Sequence, residues 1–233
     1  MRMSHDNLAE IIDHTNLRAD ASQTDIERLC DEAKLLNFKC VCVNPTNIQL
    51  AVQSLEGSKT AVCTVIGFPL GAITTNDKIY ETREAVLQGA SEIDMVMNIG
   101  QLKSGKKELV RKDIQRVVET AEGKVVKVIL ETAILTTEEK VEACLIVQDA
   151  GADFVKTSTG FGGLKGATVN DVKLLREIVG KDMGVKASGR IRDLKTALTM
   201  VRAGANRIGT SRGVSIMKEF ELSKILSADE DID

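Results

Sequence analysis

The chain has 233 residues, 43% of them hydrophobic and 28% charged, with a formal net charge of −3. That balance leaves no basic footprint for nucleic acid or for an anionic membrane surface, and no apolar run approaches the roughly 18–20 residues that span a bilayer. Tryptophan is absent and aromatics are 3%, so stacking recognition of bases has little to work with.

The length allows one or two domains, and α/β barrels reach this size as one. The opening Met1-Arg2-Met3-Ser4-His5-Asp6 lacks the apolar core of a signal peptide. Five cysteines (Cys30, Cys40, Cys42, Cys63, Cys144) form an odd set without disulfide-framework spacing. Several lie in apolar runs, where cysteine behaves as a small hydrophobe, and this predicts a reducing, cytoplasmic compartment. Cys40-Val41-Cys42 has no companions at metal-ligand spacing and only His5 and His14 are available elsewhere. No metal site is expected.

In chain order, a short N-terminal helix is followed by a strand over 11–14, a helix over 24–36 and a strand over 38–43. Pro45 then stands near a first helical turn. Next come a strand over 61–66, a helix over 76–88, a strand over 92–97, a helix over 106–120 and a strand over 125–130. Thr136-Thr137-Glu138-Glu139 resembles a capping box opening a helix over 138–148. The remainder reads as strand 153–156, helix 169–179, strand 184–187, helix 193–201 and strand 207–209. The strands are continuous apolar runs rather than clean alternations, as expected when helices cover a parallel sheet. Gly89-Ala90, Gly151-Ala152 and Gly204-Ala205 each close a helix just before a strand, where glycine can turn left-handed. Eight such units without a composition break predict one (β/α)8 TIM barrel spanning residues 1–233. An open doubly wound sheet is the competitor, but no Gly-x-Gly-x-x-Gly follows the first strand. Gly160-Phe161-Gly162-Gly163 comes after the sixth strand with other spacing, and there is no Walker-type loop.

In such a barrel the chemistry sits at the C-terminal strand ends. Lys156 ends the apolar run Ala152-Asp153-Phe154-Val155-Lys156 and leads into Thr157-Ser158-Thr159-Gly160. Desolvation disfavours an ammonium, and a neutral amine attacks carbonyls. Lys186 repeats the pattern in Gly184-Val185-Lys186-Ala187-Ser188-Gly189, and two such lysines point to Schiff-base chemistry. Two neighbouring ammonium groups cannot both stay charged cheaply. Asp94 interrupts Ile93-Asp94-Met95-Val96-Met97, and a buried carboxylate needs a cationic partner. Amine, ammonium and carboxylate together suit carbinolamine formation, dehydration and enamine protonation. The alternative is three unrelated strand-end charges, or a structural ion pair. Lys127, on the strand that Glu131 ends, either orders the polar interior or is a salt-bridged structural lysine. His14 reads more readily as a hydrogen-bonded structural histidine than as part of the mouth.

A phosphate anchor is expected at the loops after the seventh and eighth strands, where barrels commonly hold one. Its candidates are Ser188 and Gly189, then Gly209 and Ser211, with Thr157 and Gly160 from the sixth loop. Each glycine alone could be a plain turn; their joint position favours phosphate.

Taken together, Ile12-Asp13-His14-Thr15, Val41-Cys42-Val43-Asn44-Pro45, Glu92-Ile93-Asp94-Met95-Val96, Lys127-Val128-Ile129-Leu130-Glu131-Thr132, Phe154-Val155-Lys156-Thr157-Ser158-Thr159-Gly160, Val185-Lys186-Ala187-Ser188-Gly189 and Arg207-Ile208-Gly209-Thr210-Ser211 resemble the deoxyribose-phosphate aldolases. They run in family order over nearly the whole chain. The resemblance implies reversible cleavage of 2-deoxy-D-ribose 5-phosphate to acetaldehyde and D-glyceraldehyde 3-phosphate, in deoxyribonucleotide and carbohydrate degradation. It assigns the Schiff base to Lys156 and a pKa-lowering role to Lys186. Asp94 would join Lys186 in proton transfer through an ordered water, and Cys42 would be a pocket wall. It further implies no metal, no organic cofactor and a homo-oligomer, dimer or tetramer. Another barrel sugar-phosphate aldolase or isomerase, or a catalytically silent sugar-phosphate binder, is the alternative. Two departures stand out: Arg190 follows Ser188-Gly189 and Arg212 follows Gly209-Thr210-Ser211, where the family usually has glycine and serine. Arginine is a good bidentate phosphate partner, so phosphate binding is expected to persist with partly rebuilt contacts.

Overall fold

Residues 4–229 are described by the computed structural model; Met1, Arg2 and Met3 of the opening segment read above lie outside them. A short helix α1 (His5–Ala9) precedes β1 (Ile12–Asn16), and seven further strands follow: β2 (Cys40–Val43), β3 (Ala61–Ile66), β4 (Glu92–Val96), β5 (Val125–Ile129), β6 (Phe154–Lys156), β7 (Gly184–Ser188) and β8 (Arg207–Thr210). All neighbours are parallel and in sequence order, and β1 pairs with β8 to close the barrel. Between the strands lie α2 (Gln23–Leu35), α3 (Ile48–Ser54), α4 (Thr75–Leu87), α5 (Ile99–Lys103), α6 (Lys107–Thr120), α7 (Thr137–Asp149), α8 (Val169–Val179) and α9 (Leu194–Ala203), with α10 (Gly213–Asp229) last. This is the expected (β/α)8 TIM barrel with its short N-terminal helix.

Side chains alternate across each strand, and the apolar residues divide accordingly. Val41, Val43, Val62, Ile66, Ile93 and Val128 belong to the large outer core shared with the helices. Cys40, Cys42, Cys63 and Val65 form a separate cluster with Leu17 inside the barrel, on the β1–β3 side. Phe154 fills part of the interior opposite: a Cβ on Gly184 would strike its ring, and the Arg207 guanidinium lies 5.3 Å above that ring.

The local signals hold where they were strongest. Thr136 and Glu139 exchange both capping-box hydrogen bonds at the start of α7. Gly89, Gly151 and Gly204 all take positive φ after their helices. Most ends shift by a residue or two, and two differences have a plain cause. The strand expected from residue 38 begins at Cys40, because Phe38 N still closes back on the Ala33 carbonyl of α2. Helix α5 has five residues, capped by the Asn98 side chain, which is too short for a 3.6-residue period to register.

Candidate active site

The strand pleat turns seven acidic and basic side chains into the barrel, and every one of them is buried: Asp13, Glu92, Asp94, Lys127, Lys156, Lys186 and Arg207. Asp94 is the hub. Its Oδ2 accepts from Lys156 Nζ at 2.6 Å and from Lys186 Nζ at 2.7 Å, while its Oδ1 accepts from Lys127 Nζ at 2.9 Å. Lys156 and Lys186 are register partners on β6 and β7, as Asp94 and Lys127 are on β4 and β5. A second layer lies beneath. Asp13 pairs with Lys186 and, at 2.7 Å, with Arg207; Glu92 holds Lys127 at 2.6 Å and Arg207 at 2.9 Å.

Burial alone would raise the Asp94 carboxyl, yet Lys127, Lys156 and Lys186 outweigh it and hold it well below the ordinary carboxylate range. Asp13 is lowered in the same way: burial opposes, and Lys186, Lys127 and Arg207 prevail. For Lys127 and Lys186 desolvation pulls down but the surrounding carboxylates win, keeping both ammonium groups charged well beyond the ordinary lysine range. The interior is therefore an ion network carried by mutual pairing, the condition under which buried charges persist.

Above it opens a cavity of about 760 Å³, walled by the loops after β1, β6, β7 and β8. Lys156 lines it; Lys127, Lys186 and Asp94 lie behind. Gly160, Ser188, Gly189, Gly209 and Ser211 form one side. Among the described residues, no hydrogen bond within the protein takes up the amides of Gly160, Gly189 or Ser211. Gly209 also keeps space: a Cβ there would sit 3.0 Å from Ser188 Cβ and 3.1 Å from Lys186 Cε. Five arginines line the cavity, namely Arg18, Arg28, Arg190, Arg192 and Arg212. Arg18 is held by Asp20 and Arg28 by Asp25. Among the described residues the other three have no carboxylate partner.

The motifs and the geometry meet a direct comparison. A model of the DeoC/LacD family aldolases matches residues 8–219. The chain belongs to the DeoC/LacD family of aldolases. It is 61% identical over 215 residues to the deoxyribose-phosphate aldolase of Methanothermobacter thermautotrophicus, covering 92% of this chain and 96% of that one. The enzyme of the same name from Streptococcus sanguinis is 56% identical, over 93% and 98% of the two chains. Among solved structures, the tetrameric deoxyribose phosphate aldolase of Aeropyrum pernix superposes with a TM-score of 0.87 at 35% identity, covering 94% of this chain and 92% of that one.

Within this aldolase fold, the residues read from the sequence fall into two groups. Lys156, Lys186, Asp94 and Lys127 come together in one network. Lys127 is salt-bridged to both Glu92 and Asp94 and is a third cation on Asp94, which is compatible with either role expected of it. Two others sit elsewhere than expected. Thr157 does not line the cavity; its Oγ1 accepts from Ser188 N at 3.1 Å and ties β6 to β7. Ser188 reaches the cavity wall with that amide already engaged and with its hydroxyl donated to Ser158 O at 2.6 Å. Cys42 is buried away from the cavity, because it packs against Cys63 and Leu17 inside the barrel wall.

His14 lines the cavity while its Nε2 lies 2.7 Å from Glu32 Oε2. Burial lowers its pKa in spite of Glu32, as suits a neutral structural imidazole. Sequence reasoning did not single out Asp13, Glu92, Arg207, Cys63 or Glu131. Cys40, Cys63 and Glu92, and likewise Cys42, Cys63 and Asp94, have the ligand types of a soft metal ion within 4.8 Å of one another. In this structure Lys127 and Arg207 meet those carboxylates. No helix among the described residues is long and apolar enough to cross a membrane.

Proposed function

We propose that this chain is a Schiff-base aldolase that reversibly cleaves 2-deoxy-D-ribose 5-phosphate to acetaldehyde and D-glyceraldehyde 3-phosphate, with Lys156 as nucleophile. One observation carries the assignment: of the three interior lysines around Asp94, Lys156 alone lines the cavity. Four cationic side chains face three carboxylates in the interior.

The neutral Lys156 amine adds to the C1 carbonyl of the open-chain sugar, and the carbinolamine loses water to give an iminium. The Lys186 amine, left neutral once its ammonium has protonated the departing hydroxide, takes the C3 hydroxyl proton as the C2–C3 bond breaks. Its electron pair flows into the iminium, leaving an enamine on Lys156 and releasing D-glyceraldehyde 3-phosphate. Protonation of the enamine at C2 and hydrolysis then release acetaldehyde. Lys186, kept as an ammonium by Asp13 and Asp94, serves as the acid, and Asp94 Oδ2 relays protons between the two lysines. The iminium is the electron sink, so the reaction calls on no metal or organic cofactor.

The phosphate is read into the cavity side formed by Gly160, Gly189, Gly209 and Ser211, with Ser188 as support and Arg190 and Arg212 above. Free amides facing a cavity are the usual anion cradle. The five free, buried cysteines fit a reducing, cytoplasmic setting. A homo-oligomer is also part of this reading. It is supported by the tetramer named for the Aeropyrum pernix relative and by exposed Leu35, Leu70, Tyr80 and Leu87.

Borohydride reduction in the presence of acetaldehyde, followed by peptide mapping, tests the assignment. An ethyl adduct on Lys156 is expected, and Lys156→Ala should fold yet lose roughly 10⁴-fold or more in kcat. An adduct on another lysine, or none, would overturn it.

A further inference from the structure

Cys63 stands in the middle of β3 with its side chain inside the barrel, fully buried, and it touches the ion network at the hub. Its Sγ lies 3.3 Å from Asp94 Oδ1 and 3.4 Å from Lys127 Nζ, and that same Nζ lies 2.9 Å from Oδ1. Sulfur, ammonium and carboxylate oxygen thus form a triangle on one side of Asp94. On the other side Oδ2 takes Lys156 and Lys186 at 2.6 and 2.7 Å. The two oxygens of one carboxylate therefore face different tasks: Oδ2 meets the lysine that reaches the cavity, and Oδ1 meets groups that do not.

Such a division holds only while the carboxylate plane is fixed. The terminal torsion of an aspartate is broad and roughly two-fold, so half a turn would exchange the oxygens, and smaller swings would lengthen the bonds to Lys156 and Lys186. Lys127 cannot fix the plane alone, because its ammonium is also held by Glu92 at 2.6 Å. Cys63 approaches Oδ1 from β3, the strand on the far side of β4 from β5 and Lys127.

We propose that Cys63 is a positioning residue for the aldol chemistry, locking Asp94 so that Oδ1 stays on Lys127 and Oδ2 on the Lys156–Lys186 pair. This rests on the Schiff-base reading given above. The choice of residue follows from its two faces. On one side Cys63 is packed with Cys40, Cys42, Leu17 and Val65, which suits a small hydrophobe; on the other it needs a weak donor and acceptor in reach of a charge, which sulfur supplies.

The test compares C63A with C63S, each checked by thermal melting and assayed for cleavage and for exchange of the acetaldehyde methyl protons into D₂O. C63A should lower kcat by roughly tenfold, the worth of one hydrogen bond to a charged group, with KM held within about twofold. Methyl exchange should slow by the same factor, because enamine protonation passes through Asp94. C63S, which keeps a polar donor and acceptor, should recover kcat to within about threefold of wild type. Should C63A fail to fold, C63V preserves the volume without the polar contact and takes its place. An apolar variant with wild-type kcat and exchange rate overturns the proposal, and so does C63S as slow as C63A, which would leave the sulfur a packing role only. Borohydride trapping on the same preparations separates the two readings. A wild type that does not trap acetaldehyde removes both, whereas wild type and C63A that trap and turn over alike remove this one alone.

Discussion

At Arg190 the backbone turns left-handed, with φ 61°, a conformation that costs an L-residue about 1–2 kcal/mol and glycine almost nothing. The strain is tolerated in a loop whose neighbour Gly189 lies against Gly166, close enough that a Cβ on Gly189 would come 2.9 Å from the Gly166 Cα. The guanidinium reaches back to the Gly163 carbonyl at 3.3 Å, a single weak bond that leaves its other donors for an anion in the cavity. Arg190→Gly should therefore leave folding stability level or raised by less than about 1 kcal/mol, strain relief slightly exceeding the added unfolded-state entropy. Combined with Arg212→Ser, it should raise KM for the phosphorylated sugar roughly tenfold while KM for unphosphorylated 2-deoxyribose stays put. Steady-state kinetics with both sugars decides this, and an unchanged KM for the phosphorylated one would rule out a guanidinium contribution. Legibility at this scale followed chemistry. Lys156, Lys186 and Asp94 were visible because a charge interrupts an apolar run. Cys63 was not, because a cysteine in such a run reads as one more hydrophobe. Glu92 and Arg207 open their strands, where a charge looks like ordinary punctuation, and Asp13 stands beside His14 and Thr15 in a short strand with little apolar run to interrupt.

Between elements, the end of β5 governs the loop after β6. Glu131, one residue beyond Leu130, is also left-handed at φ 55°, and a non-glycine residue held there is a mark of a constrained site. Its buried carboxylate accepts from Thr159 N at 3.1 Å and, through a short contact, from Thr159 Oγ1. Thr159 lines the cavity, and its Oγ1 accepts from Phe161 N at 3.1 Å; the Phe161 ring in turn stands edge-on to Phe68 at 5.0 Å. One carboxylate thus fixes the segment that follows the nucleophile. Glu131→Ala should cost about 2–3 kcal/mol by leaving buried donors unpaired. It should also raise KM more than it lowers kcat, since it loosens the wall and not the Asp94 hub. Denaturant unfolding and kinetics together check this, and a variant that loses kcat with KM intact would contradict it. From sequence the eight strands and the main helices were legible because parallel strands are apolar throughout and helices keep their period. The same apolarity hid which face of each strand is interior, and so hid which side chains meet. Thr157 illustrates the consequence: the right stretch of chain, with its Oγ1 tied to Ser188 instead of lining the cavity.

For the molecule as a whole, a barrel lined by seven acidic and basic side chains makes stability a function of pH in a way an apolar interior would not. The sign follows from which state binds more protons. Asp13 and Asp94 lie below their ordinary 3.8 when folded, so on acidification the unfolded chain takes up protons first. Their contribution is present above about pH 4 and is lost as pH falls through the folded values. Lys127 and Lys186 lie above their ordinary 10.5, so on alkalinisation the unfolded chain gives up protons first. Their contribution is present below about pH 10 and is lost as pH rises through the folded values. The unfolding free energy, measured in urea from acid to alkaline pH, should be greatest near neutral pH and fall on both sides, with His14, lowered from 6.5, adding to the acid limb and the buried Cys40 and Cys42 thiols, raised above 9.0, adding to the alkaline one. Asp94→Asn should cost about 3–5 kcal/mol at neutral pH, because the buried Lys127 and Lys186 ammonium groups then share one carboxylate fewer. It should also make the acid limb shallower, as one depressed carboxyl no longer titrates. A wild type with no acid limb down to pH 3, or an Asp94→Asn variant as stable as wild type at pH 7, would show that the network does not hold its charges in the folded state. The proton relay assigned to Asp94 would then lose its physical basis.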